Sequence, residues 1–436
     1  MRSIMTQRFR WFPVMAILLL LGASPALAAI QGVTGTTFNL TAKADHISTP
    51  DGNSILIWGY ALNNGRMQYP GPTLILNQGD TISITLTNNL PPGAGNVSIL
   101  APGQSGGTAT GGVQGLITRE APPGGSVTYT FVAAQPGTYA YYSGTRPELQ
   151  VEMGLVGAII VRPAGFNETS NKIAYGHPES RYDDEFLFLL SEMDPNIHEF
   201  VEAGLMNMID NTKYWPVYWF INGRAAPDTM LDANVPFLPT QPYNCLPTTH
   251  PGERLLMRIV NASRDLHPYH THGNHHKVIA LDGRLLESAP GAGPDLAYAA
   301  FTTSVPPGGT ADGIFYWIAK AGWDIYGTDN GHDCVDADGD DLDDATHEYC
   351  PDHGKPFPVN LPHKNDTTFG AFWGGSPFLG TAEPLPPGEG GFNPNGAYFF
   401  MWHSHSEKEL TNFDIFPGGM LTMMFVEPLS APLVNP

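Results

Sequence analysis

Residues 71–91 read GPTLILNQGDTISITLTNNLP. Ile82, Ile84 and Leu86 alternate with Thr81, Ser83, Thr85 and Thr87. A strand sends successive side chains to opposite faces, so this period of two predicts a strand with one face buried. Val127, Tyr129 and Phe131 repeat the pattern after the turn formers Pro122, Pro123, Gly124 and Gly125. GTYAYYSG at 137–144 and MGLVGAIIVRP at 153–163 supply a further strand pair. Short strands about ten residues apart, with turn signals between them, predict a Greek-key β-sandwich.

Composition extends this reading to the whole chain. The 436 residues include 49 Gly and 40 Pro, and only 14% are charged against about 25% in an average domain. Many turns and few charged helix faces describe an all-β protein with long loops. The length fits two domains. They are expected at 30–163 and 185–428, joined by a polar, turn-rich linker at 164–184 and followed by a short tail at 429–436. WFINGRAAP at 219–227, PGERLLMRIVNAS at 251–263, VPPGGTADGIFYW at 305–317 and FPGGMLTMMFVEP at 416–428 mark the strands of the second domain.

Residues 1–29 read as a secretory signal: Arg2, Arg8 and Arg10, an apolar run at 11–22, then Ala26-Leu27-Ala28 as a cleavage site. That run is too short to span a bilayer comfortably, and no later stretch qualifies. A secreted or periplasmic location is expected. The net charge of −21 argues against nucleic acid and anionic membranes as partners, and favours solubility or cationic partners.

The chemistry lies in two motifs near the C-terminus, HPYHTHG at 267–273 and WHSHS at 402–406. Strand alternation places His270 and His272 on one face, and His403 and His405 on one face. If the two strands are neighbours, four imidazoles converge. Imidazole suits copper, zinc, iron and nickel, so a metal site is the first expectation.

The strings GPTLILNQGD, TNNLP, PGTYAYYS and QVEMGLVGAIIV, in that order, together with these two histidine motifs, resemble the multicopper oxidases. The resemblance implies two Greek-key cupredoxin-like β-sandwich domains and bound copper, of which the histidines retained here leave an expectation of one or two ions. It places His270, His272, His403 and His405 at cluster-ligand positions and His267 at a blue-copper ligand position. Three departures follow. Ser404 stands where the family carries the blue-copper cysteine, and a hydroxyl lacks the soft thiolate bond of that site. Glu409 occupies the place of the second blue-copper histidine, and Met420 lies farther along than the axial methionine. In the first domain the stretch 96–103 holds no histidine, and Tyr142 and Gly144 occupy two further histidine positions. Full laccase-type activity is therefore expected to be absent.

A loop-rich insertion at about 324–396 interrupts the second domain. Cys334 and Cys350 flank its acidic part and are expected to pair in an oxidising compartment, leaving Cys245 over. Asp336, Asp338, Asp340 and Asp343, spaced around Gly339, are candidate calcium ligands; a solvated acidic loop is the plainer alternative. His275 and His276 are expected to pack or face solvent. No G-x-S-x-G elbow, Walker loop or His-Glu-x-x-His helix is present.

Three functions remain open from sequence. The first is a protein binding copper or another divalent metal. The second is a mononuclear oxidoreductase at the same histidines, with Glu407 or Glu409 as proton donor. The third is a non-catalytic extracellular assembly protein. Whether the chain is an enzyme, and whether it forms homo-oligomers, is not decided by the residues.

Overall fold

The computed structural model describes residues 30–317, 335–339, 344, 368–369, 372–373, 398–427 and 432–433. The expected leader, Cys334, Cys350, Asp340 and Asp343 lie outside the described residues.

Strands dominate, and the longest helix among the described residues is Pro195–Glu202. A five-stranded sheet runs in the order Ser54–Leu62, Thr37–Ser48, Thr81–Asn88, Ser126–Val132, Ser105–Gly111. It faces a four-stranded sheet of Val33–Thr34, Leu74–Asn77, Val156–Arg162 and Gly137–Tyr142. The alternating Ile82, Ile84 and Leu86 meet Leu74, Leu76, Ile159 and Val161 in the core between the sheets. The turn 122–125 closes through Gly125 N–H donating to Pro122 O at 2.7 Å.

The same arrangement recurs C-terminally. The main path of the next sheet runs Tyr218–Ile221, Asp184–Met193, Arg254–Asn261, Thr310–Tyr316, His276–Leu281, Arg284–Leu285. It packs on a five-stranded sheet ordered Thr248–Thr249, Leu421–Val426, Tyr398–Ser404, His267–Thr271, Thr302–Val305. Phe188, Trp219, Met257 and Phe315 from one side meet Tyr269, Phe400, Trp402 and Met424 from the other. In each sandwich strands distant in sequence run parallel, Thr37–Ser48 beside Thr81–Asn88 and Asp184–Met193 beside Arg254–Asn261. Sequence-distant neighbours of this kind are what Greek-key connections produce.

A third apolar cluster joins the sandwiches back to back. Ala140, Val156, Ala158 and Ile160 pack against Leu187, Leu189, Tyr218, Phe220 and Val260. The segment 164–184, polar in sequence, is tied down: Ala174 and Tyr182 are buried with Leu256 and Ile279. Within the expected insertion, Thr368–Phe369 and Phe372–Trp373 form short strands, the latter pairing with Gly273–Asn274.

Candidate metal centre

His267–Thr271 and Tyr398–Ser404 are antiparallel neighbours, with His270 opposite His403 and Tyr269 opposite Ser404. This register decides the site. It sends Tyr269, Trp402 and Ser404 into the sandwich, where all are buried, and sends the four imidazoles together on the outer face. The His270 ring centroid lies 5.0 Å from that of His272, 5.3 Å from His403 and 4.6 Å from His405. Ligand nitrogens of His270, His272 and His403 all lie within 4.8 Å of one another. The chain can turn immediately after His272 because residue 273 is glycine. Its φ is +92°, and a Cβ there would sit 2.9 Å from the Phe400 ring.

Hydrogen bonds orient the rings. His270 Nδ1 lies 2.7 Å from Thr302 Oγ1, and His403 Nδ1–H donates to the Ser404 carbonyl at 2.6 Å. Both residues thereby present Nε2 to the cluster. Trp402 Nε1–H donates to the His272 carbonyl at 3.1 Å, which fixes the backbone between the second and third ligands. Nε2 of His403 stands 3.2 Å from Nε2 of His272. Two nitrogens bound tetrahedrally to one ion at 2.0–2.1 Å are about 3.3 Å apart, so this pair has the spacing a shared metal ion requires.

Burial, reinforced by the neighbouring imidazoles, pushes His270 and His272 down to about 4. Burial also lowers His403, against its hydrogen bond to Ser404. Neutral imidazole is the metal-binding form, so these rings are ready to ligate at neutral pH. His405 stands at the rim, its side chain 50% exposed and its Nδ1 3.2 Å from Glu407 Oε1. It is near His270 but outside the three-nitrogen group.

His267 occupies the opposite face of its strand and is fully buried. Its Nε2 is 2.8 Å from Glu192 Oε2, and its Nδ1 is 2.9 Å from Glu409 Oε2. Burial disfavours its charge, but the two carboxylates outweigh that and raise its pKa to about 9. His267 is thus an imidazolium held by two anions, with neither ring nitrogen turned to a metal. Ser404 is buried nearby, its Oγ accepting from the Ser406 N–H at 3.1 Å. Met420 meets Ser404 through its backbone carbonyl, at 2.9 Å from the Ser404 nitrogen.

His276 is closed off as well. Its ring nitrogens meet Thr271 Oγ1 at 3.1 Å and Thr303 Oγ1 at 2.7 Å, and burial pushes it down to about 3. Cys245 is a buried free thiol whose Sγ–H points to the Ile221 carbonyl at 2.9 Å, and burial raises it to about 12. In the N-terminal sandwich, hydroxyls and an amide surround Gly144, one of the positions where the resemblance would place a histidine. The Gly144 N–H and Thr145 Oγ1–H both donate to Ser98 Oγ, and Ser143 Oγ–H donates to Gln150 Oε1 at 2.6 Å. A Cβ at Gly144 would strike the Leu100 side chain at 2.6 Å. The only other candidate metal group among the described residues is Asp336, Asp338 and Asp344. Asp344 was not among the residues expected from sequence.

Sequence reasoning missed Thr302, Ser263 and Glu192. For Glu192 a signal existed: a carboxylate at the far end of the apolar run in the strand Asp184–Met193 must find a buried partner.

Two cupredoxin-like sandwiches carry, on the edge of the second, a histidine cluster able to hold a metal ion. Residues 46–165 match the family described as multicopper oxidase. Laccase-2 of Cryptococcus neoformans var. grubii is 39% identical over 108 residues, covering 24% of this chain and 17% of that protein. Laccase 1 of Metarhizium robertsii is 27% identical over 202 residues, covering 41% and 32% respectively. The chain thus aligns with less than a third of the length of these relatives. The solved multicopper oxidase mgLAC shares the fold at a TM-score of 0.55 and 18% identity, over 92% of this chain and 88% of that one. The match over residues 46–165 and the shared fold support a relationship to the multicopper oxidase family. No helix among its described residues is long and apolar enough to cross a membrane.

Proposed function

We propose that this chain is a secreted copper-binding protein that holds one ion at His270, His272 and His403, with His405 as an additional ligand from the rim. The observation that carries the reading is the convergence of three imidazole nitrogens within 4.8 Å of one another. Neutral rings, oriented through Thr302 and Ser404, suit copper or another borderline divalent metal. A bound ion there would act as a Lewis acid toward water or a small ligand.

Laccase-type oxidation is not part of this proposal. It requires a thiolate-held copper to collect electrons, and Ser404 offers no thiolate. A mononuclear oxidoreductase is the second reading, favoured by the half-exposed placement of His270 and His272, which leaves one side of the cluster open to a small substrate. In that reading Glu407, beside His405, is the better proton donor, because Glu409 is committed to His267. Calcium at the acidic loop, the Cys334–Cys350 bridge, the domain limits given above and a removable leader complete the proposal.

Elemental analysis of protein loaded in copper-rich medium tests it. The expected result is one copper per chain, lost on His270→Ala or His403→Ala, with no oxidation of phenols or of ferrous and cuprous ions. Unchanged copper in both variants overturns the site, and rapid phenol oxidation overturns the loss of laccase activity.

A further inference from the structure

The array of Glu192, His267 and Glu409 ties three elements together. Glu192 comes from the strand Asp184–Met193, His267 from the strand His267–Thr271, and Glu409 from the turn Glu407–Leu410. Their side chains are 0%, 0% and 7% exposed. With a carboxylate on each ring nitrogen, both nitrogens act as donors, which only the protonated ring can do.

Other charged and polar groups face the array from every side. Glu192 Oε1 accepts from the Arg264 N–H, the Asp265 N–H and the Tyr214 hydroxyl, at 2.8, 3.1 and 3.0 Å. Ser263 Oγ lies 2.9 Å from His267 Nε2. The Arg264 guanidinium stands 3.8 Å from Glu152, and the Asp265 carboxyl adds negative charge. Carboxylates surround His267, and stripping its proton would leave two buried anions against a neutral ring.

Glu409 also fixes the path of the chain beyond the metal cluster. That chain departs at Ser404 and returns at Met420, whose carbonyl accepts from the Ser404 N–H. The Met420 N–H donates to the Glu409 carbonyl at 2.7 Å. The return is possible because residue 419 is glycine, with φ +59° and only 2.1 Å from its ideal Cβ position to the Glu409 oxygen. The Glu409 side chain holds the inner face and its backbone closes the loop. Both constraints act on the segment that contains His405 and begins immediately after His403.

We propose that Glu192, His267 and Glu409 form a proton-dependent charge clamp that positions His403 and His405 for metal, so that loss of the His267 proton loosens the metal. The proposal rests on the reading of the histidine cluster as a copper site and assigns its regulation. Glu409 and His267 are positioning residues that do not touch the ion.

Copper(II) affinity, measured by competition with nitrilotriacetate from neutral to alkaline pH, tests the clamp. Wild type should weaken as His267 loses its proton. Glu409→Gln should bind copper about tenfold or more weakly at neutral pH, the usual scale for removing an outer partner of a metal site. The paired variant His267→Gln/Glu409→Gln replaces the charges by amide hydrogen bonds; it should recover most of the affinity and lose the alkaline weakening. Nitrogen-15 spectra of the apo protein should show both His267 ring nitrogens protonated at neutral pH. If His403→Ala still binds copper as wild type does, the copper reading itself is wrong. If His403→Ala loses copper while Glu409→Gln keeps wild-type affinity and pH profile, the clamp alone is wrong. Should Glu409→Gln fail to fold, the paired variant decides: an alkaline limb equal to wild type overturns the proposal.

Discussion

His270 and His403 stand directly opposite one another on adjacent antiparallel strands, their ring centroids 5.3 Å apart. Neither ring is core packing, whereas His276, a few residues along the chain, is held between two threonine hydroxyls in the interior. Alanine at 270 should therefore remove bound copper and change stability by less than about 1 kcal/mol, as for a partly exposed position. Alanine at the buried, hydrogen-bonded 403 should remove copper at a cost of about 1–3 kcal/mol. His276→Ala should do the reverse of His270→Ala, costing about 1–3 kcal/mol from a buried hydrogen-bonded group while copper content stays near wild type. Metal analysis paired with urea unfolding of the three variants separates the roles. Equal copper loss in all three would mean that the cluster has no special standing.

Restoring a cysteine should not restore a blue centre. Ser404 is buried beside the site, but His267 has both nitrogens engaged by carboxylates and Glu409 is one of those carboxylates. Ser404→Cys thus supplies one soft ligand with no pair of imidazoles to join it, and a His₂Cys site needs both. The copper-loaded variant should stay without an intense visible band. An intense blue colour would show that the Glu192–His267–Glu409 array yields to copper.

The same array sets the alkaline limit of the fold. His267 has an ordinary value of 6.5 when unfolded and about 9 when folded. The folded state holds the proton more tightly, so the stabilisation is complete below 6.5 and is lost as pH rises through 9. The shift corresponds to roughly 3 kcal/mol. Copper-free protein should lose about that much between neutral pH and pH above 9, and Glu192→Gln should flatten the profile. His270 and His272 act in the opposite sense. Their values fall to about 4, so stability from these groups declines as pH drops from 6.5 towards 4. Urea midpoints across the pH range give both limbs; a flat alkaline limb in the wild type contradicts a charged His267.

Strand periodicity made most of the fold legible. Ile82, Ile84 and Leu86 lie in a strand, the runs at 137–144 and 153–163 contain the strands Gly137–Tyr142 and Val156–Arg162, and all feed a common core. The facing of the four histidines was also legible, because a period of two is rigid once a strand is assumed. The pairing of His267 with two carboxylates was not. It depends on Glu192, 75 positions away in the chain, and sequence spacing carries no information about which strand a buried carboxylate will reach. The rim position of His405 is likewise a matter of where the chain bends after Ser404. Polarity misled in the segment 164–184, where Tyr182 is buried and its hydroxyl accepts from Arg162 at 2.9 Å.

That tyrosine belongs to a buried ion cluster between the two sandwiches, which yields the last prediction. Glu185 receives the Arg162 guanidinium on both oxygens, one at 2.7 Å, and Arg258 Nε at 2.8 Å. Arg258 Nη1 also reaches Thr138 Oγ1 at 2.9 Å, and Thr138 donates to Asp312 at 2.7 Å. Arg162 and Thr138 belong to the N-terminal sandwich, whereas Glu185, Arg258 and Asp312 belong to the C-terminal one. Burial pushes the Glu185 carboxyl up, but the two arginines overcome it and hold it at about 2. Glu185→Gln removes the charge that two buried guanidinium groups share. Breaking a buried pair from one side leaves uncompensated charge and costs about 3–5 kcal/mol, whereas replacing the whole set by apolar residues of similar volume is often neutral. Glu185→Gln should therefore lower the urea midpoint sharply, and Arg162→Met/Glu185→Leu/Arg258→Met should recover much of the loss. If the single and triple variants are equally unstable, the ion cluster is needed for the shape of the interface as well as its charge balance; if both match wild type, it contributes nothing to joining the sandwiches.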